Sequence, residues 1–147
     1  MKNKMLNACK LLLVLSVVMV SCKKDDKVEK DVLNGAWVET PLQTYNHTLR
    51  FESDGRFAME YLHPDGSAKT TFNGKYLIKG DSLKVNIQEM LEQQSSGTVI
   101  RTPANSVMFE KGTFSIRDNV LTINYITYPA DGPVPTQLKF NAVKPMD

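Results

Sequence analysis

Two carboxylates and two histidines are the side chains best suited to acid/base work in this chain, and their spacing limits how far that reading goes. Glu89 and Glu110 lie 21 residues apart, each in a segment that alternates apolar and polar residues. A facing pair of carboxyl groups at a set separation is the machinery of glycoside hydrolysis, but nothing local in the sequence sets the separation here. His47 and His63 are the only histidines, and His63 opens a turn-like His63-Pro64-Asp65-Gly66. The chain has no Gly-x-Ser-x-Gly elbow, no paired-histidine metal motif and no phosphate-cradling glycine loop. The expectation is a protein that is not an enzyme, with no catalytic residues, no metal and no cofactor.

Cys22 carries clearer chemistry. Lys2, Lys4 and Lys10 precede an apolar run from Leu11 to Val20, broken only by Ser16, and the run stops at Ser21-Cys22. A membrane span needs about 20 apolar residues, so this shorter run reads as an export signal. Ser21 before Cys22 resembles the bacterial lipobox, with Met19 in place of the usual Leu. In a lipobox the thiol is diacylated, the preceding bond is cut and the new amine is acylated. Several acyl chains, at about 0.8 kcal/mol per buried methylene, make a stable anchor. The organisation expected is a lipoprotein signal peptide over 1–21, a lipidated charged tether over 22–32 and one domain over 33–147. Lys23-Lys24-Asp25-Asp26 resembles the short lysine-plus-acidic signal that carries Bacteroidetes lipoproteins to the outer face of the outer membrane. That resemblance implies a palmitate-bearing protein, anchored to the membrane through Cys22 and facing the cell exterior; the alternative is an anchor facing the periplasm.

Composition constrains the rest. Removing residues 1–21 takes away three lysines and no acid, so 126 residues remain with 15 basic against 16 acidic side chains, a net −1 where the whole chain has +2. That is one domain's worth of chain, and a near-neutral balance argues against a nucleic-acid partner, which needs a clustered basic face. With Cys9 in the signal segment and Cys22 acylated, the domain holds no disulfide and no thiolate metal site.

From Leu33 onward the chain reads as strands. Tyr76 and Ile78, then Leu83, Val85 and Ile87, alternate with polar residues, the period of a half-buried antiparallel sheet. Gly80-Asp81 between them predicts a two-residue hairpin, which pairs Ile78 with Leu83, Tyr76 with Val85 and Phe72 with Glu89. Residues 74–85 align with 112–123 without a gap, Gly74 matching Gly112 and Ile78 matching Ile116, and the second turn falls at Asp118-Asn119. Asn and Asp are the side chains that best tolerate a left-handed backbone there. Ser53-Asp54-Gly55 predicts a three-residue turn with a bulge, pairing Phe51 with Phe57, Leu49 with Met59 and His47 with Tyr61. Eight strands follow, near 35–40, 47–52, 57–62, 69–79, 82–91, 106–117, 120–128 and 136–143. In up-and-down order the tight turns share one end and the long connections, 41–46, 63–68, 92–105 and 129–135, share the other. The fold expected is all-β, an eight-stranded antiparallel up-and-down barrel, with a two-sheet β-sandwich as the alternative.

Gly35-Ala36-Trp37 opens the first strand with Gly-x-Trp, which is similar to the start of lipocalins and of the lipocalin-like domains of Bacteroidetes lipoproteins. The resemblance implies that Trp37 plugs the closed end of the barrel. Two features depart from the family: the last strand offers no Arg to cover the Trp, leaving Lys139 or Lys144, and no helix follows it.

Alternation then assigns the interior. Near the tight turns it is apolar: Trp37, Phe51, Phe57, Ile78, Leu83, Val85, Ile116, Leu121, Ile123 and Phe140. Towards the long loops it becomes mixed, with Glu39 and His47, and with a ligand pocket expected from Tyr61, Phe72, Glu89, Met108, Glu110, Tyr125 and Thr127. Inward Glu89 and Glu110 imply water or a polar ligand group in the mouth, the alternative being that both strands splay or bulge there and turn the two carboxylates into solvent. A mostly apolar pocket with a few polar groups suits a small apolar or amphipathic ligand. The alternative is an interaction module that docks a protein partner through its long loops, chiefly 92–105 and the proline-rich 129–135.

Overall fold

Short turns set the register. In the computed structural model, which describes residues 30–42 and 45–143, Gly55, Gly80, Asp118 and Asn119 all take the left-handed backbone the turns require, with φ of 87°, 61°, 52° and 61°. Counting outward from these turns, Phe51 pairs with Phe57, Leu49 with Met59 and His47 with Tyr61. Ile78 likewise pairs with Leu83 and Tyr76 with Val85, and Ile116 pairs with Leu121. The strands are β1 (Gly35–Glu39), β2 (Asn46–Phe51), β3 (Arg56–Leu62), β4 (Lys69–Lys79), β5 (Ser82–Gln93), β6 (Val99–Arg117), β7 (Val120–Thr127) and β8 (Val134–Ala142).

They form a closed antiparallel barrel in sequence order. Closure runs through Trp37 opposite Ala142, Val38 opposite Asn141 and Glu39 opposite Phe140, so both end strands find a partner and the sandwich alternative is excluded. Cys22, the segment 1–21, tether residues 22–29 and Lys144 lie outside the described residues.

The tight-turn end is filled. Trp37, Phe51, Phe57, Ile78, Leu83, Val85, Leu121, Ile123 and Phe140 are buried, and the partly buried Ile116 packs against them. A 3₁₀ turn over Lys30–Leu33 precedes β1, and its buried Leu33 accepts a 2.9 Å hydrogen bond from Trp37 Nε1. A backbone carbonyl thus takes the indole N–H, while Lys139 is exposed on β8 opposite Thr122.

Three irregularities separate the observed register from simple counting, the outermost where Ile87 pairs with Ser106 but Glu89 with Pro103. In β4–β5, Asn73 pairs with Glu89 but Gly74 with Ile87, leaving Gln88 as the extra residue and Phe72 opposite Met90 instead of Glu89. In β5–β6, the two steps from Leu83 to Val85 face four steps from Gly112 back to Met108, and within them Phe109 and Lys111 have φ of 56° and 51°. The glycines that begin the two aligned segments are where strands crowd at these bulges. A Cβ on Gly112 would lie 2.7 Å from the carbonyl oxygens of Leu83 and Phe109, and one on Gly74 would collide with Asn86 O. Only a residue without a side chain allows that approach.

The expected loop 92–105 is instead a hairpin, turned by Gln94 N to Thr98 O and Gly97 N to Gln94 O, both 2.9 Å. The other proline-rich connection is shorter than expected, because Pro135 already pairs with Ile126.

Candidate functional site

The residues of interest gather at the end away from the tight turns. Glu39 ends β1, His47 and Tyr61 are opposite each other on β2 and β3, and Thr70 on β4 faces Tyr61. Period-two alternation puts all four on the inward face, and the pairing aligns them as one row around the barrel wall.

Glu39 is only 5% exposed. His47 Nδ1 approaches its Oε2 to 2.6 Å, but off the axis of a ring N–H, so that oxygen has no hydrogen bond of good geometry. The contact is close enough to hold the imidazole against the carboxylate, and it leaves acceptor capacity on Oε2 unused. Burial raises the Glu39 pKa and the neighbouring His47 offsets part of that rise. Tyr61 stacks edge-on to His47, with ring centroids 4.2 Å apart. Its phenol is pushed up to about 12, mainly by burial and then by Tyr125 and Glu39. Burial and then Glu39 likewise raise Tyr125. Both phenols therefore keep their protons at neutral pH and remain hydrogen-bond donors.

Beside this row Tyr45, Tyr61, His63, Thr70 and Phe72 line an open cleft of about 370 Å³. Its rings meet edge to face: Tyr61 with Phe72 at 5.6 Å and Tyr45 with His63 at 5.2 Å. Tyr125 stands on β7 and contacts Phe109 at 5.2 Å. Met108 is partly buried against the core. Thr127 lies near the end of its strand, its hydroxyl 2.9 Å from that of Thr136.

Glu89 and Glu110 do not belong to this group. The β4–β5 bulge shifts Glu89 by one residue and so turns it to the outer face. There its carboxylate accepts from Asn73 Nδ2 at 3.1 Å and from Arg101 Nη1 at 2.7 Å. Glu110 is exposed and accepts from Tyr128 Oη at 3.2 Å. The wide bulge of β6 takes Glu110 out of strict alternation and buries Phe109 in its place. Each acid is committed to its own separate partner, and no facing carboxylate pair forms. A wider hollow of about 540 Å³ opens over the Gly74 bulge, but its two carboxylates are already occupied, Glu52 by Arg56 and Glu89 by Arg101.

Sequence reasoning missed Tyr45, His63 and Thr70 in the cleft and Phe109 in the core. Tyr45 and His63 stand outside the regular strands, where no periodicity aims a side chain. Thr70 does fall on the alternation that includes Phe72, and that spacing was a usable signal.

Fold and site together define a closed eight-stranded up-and-down β-barrel, plugged at the tight-turn end and bearing an aromatic cleft beside a buried carboxylate at the other. No protein-family model matches the chain, and no curated protein or solved structure matches it.

Proposed function

We propose that this is a lipocalin-like lipoprotein, anchored in the outer membrane through acylated Cys22 and facing the cell exterior, that binds a small apolar or amphipathic ligand at the barrel mouth. The observation that carries the binding reading is the aromatic cleft of Tyr45, Tyr61, His63, Thr70 and Phe72 beside the buried Glu39. An apolar surface with a few convergent polar groups is the usual composition of a small-molecule site. Phe109 and Phe57, in edge-to-face contact at 6.4 Å, fill the interior, so the ligand sits shallowly at the rim. Replacing Tyr61 and Tyr125 together by Ala is expected to weaken binding of a neutral apolar dye such as Nile red by more than tenfold, about 1.4 kcal/mol. Equal titration curves for the two proteins would place the dye elsewhere.

The membrane address rests on Ser21-Cys22 after a short apolar run. Cys22→Ala is expected to abolish palmitate labelling and to leave the precursor uncut or the protein free of the membrane fraction. Normal labelling of that variant would end the lipoprotein reading.

One observation favours a second reading. β6 pairs with β5 from Val99 to Thr113, yet with β7 only from Thr113 to Arg117. Among the described residues, Val99–Gly112 thus has one edge without a strand neighbour, and Val99, Ile100 and Val107 are exposed along it. An extended segment of a partner protein adding a strand there is the matching mode of recognition. Failure of the wild type to bind any lipid, aromatic compound or oligosaccharide would favour this reading.

A further inference from the structure

We propose that the mouth cleft selects cationic ligands, amines or quaternary ammonium groups, with Glu39 supplying the opposing charge. The inference rests on the binding reading above and narrows it to a ligand class. Three features of the site converge on a cation.

The first is the carboxylate. Glu39 is 95% buried and its Oε2 has acceptor capacity left over. A buried carboxylate is costly unless something opposes its charge. His47 is the nearest group, with Nδ1 at 2.6 Å, but that contact forms no hydrogen bond to Oε2. An incoming cation adds compensation that this contact leaves incomplete.

The second feature is the ring arrangement. Tyr45, Tyr61 and Phe72 all line the same cleft. Aromatic faces attract a cation within about 6 Å of the ring centroid through the ring quadrupole. Tyr61 and Phe72 pack edge to face with an interplanar angle of 78°, so the cleft is lined by rings of different orientation.

The third feature is the position of Tyr61. It lines the cleft and also packs on His47, whose other contact is Glu39. One residue therefore separates the aromatic space from the carboxylate, and the negative charge lies behind the ring wall. Two histidines close by can carry a positive charge against the ligand, His47 packed on Tyr61 and His63 in the cleft lining.

The test compares choline with 3,3-dimethylbutan-1-ol, which has the same shape with carbon in place of the charged nitrogen. At neutral pH the full chain is expected to bind choline at least tenfold more tightly than the neutral alcohol. Glu39→Gln, which preserves shape, is expected to bring that ratio close to one. In the wild type the choline N-methyl proton resonance should shift upfield on binding, from ring currents, and Tyr61→Leu should remove the shift. Equal affinity for the two probes in a protein that binds Nile red would overturn the cation inference and leave mouth binding intact. A Glu39→Gln protein that keeps the tenfold preference would overturn it as well. If Nile red, choline and the alcohol all fail to bind, the mouth-binding reading itself falls. Should Glu39→Gln not fold, the wild-type resonance decides, since an unshifted N-methyl signal at saturating choline excludes the aromatic cage.

Discussion

Phe109→Ala is expected to destabilise the barrel by about 3–5 kcal/mol, the range for emptying a site that held a buried aromatic ring. Phe109 is 4% exposed, and its ring meets Phe57 at 6.4 Å and Tyr125 at 5.2 Å, each edge to face. It bridges the plugged half and the mouth, so neighbours on both sides lose contacts when it goes. Its backbone adds a second, separable effect. At φ 56° a side-chain-bearing residue is disfavoured by about 1–2 kcal/mol, a cost that Ala retains and Gly does not. Phe109→Gly is therefore expected to be more stable than Phe109→Ala, reversing the usual order for strand positions. Urea unfolding of the three proteins reads both effects. A wild-type midpoint for the Ala variant would mean that the ring is not part of the core, and Ala above Gly would refute the left-handed backbone.

Trp37→Ala is expected to cost about 3–5 kcal/mol for the lost ring. A further penalty arises because Leu33 O, now without the indole donor, stays at a buried position, and an unsatisfied buried acceptor costs about 1–3 kcal/mol. A protein of this size has about 5–15 kcal/mol of stability in all, so the variant sits near the limit of folding. Thermal unfolding followed by circular dichroism measures the loss, and Trp37→Phe is expected to recover part of it through packing alone. Nile red affinity per folded molecule should fall by less than the tenfold expected of the mouth tyrosines, because the cleft is built from β3, β4 and adjoining loop residues. An unchanged melting temperature would mean the indole does not seal the closed end.

Much of the register was legible because hairpin turns act at short range. A left-handed backbone is cheap at Gly, Asn and Asp and expensive elsewhere, so Gly55, Gly80 and Asp118-Asn119 locate the turns. Their loop lengths then determine which residues face each other for several pairs outward. Within that distance every expected pair is present, from Phe51 with Phe57 to Ile116 with Leu121. The expectation failed beyond it, at Phe72 and Glu89, where a single extra residue exchanges the two faces of a strand. A bulge is a compromise between two strands whose preferred lengths differ, and neither strand alone encodes it.

The sequence by itself determined the all-β class, the eight strands, their turns and the apolar set at the tight-turn end, since these depend on period and on local backbone energetics. Tertiary structure alone decided that β1 meets β8 to close the barrel, because that contact joins residues about a hundred positions apart and depends on accumulated twist and tilt. It also decided that Phe109 enters the core while Glu89 and Glu110 leave it, and that Glu39 is buried against His47. Those outcomes follow from which side chains fill a shared interior once all eight strands surround it, a competition that exists only in the folded barrel.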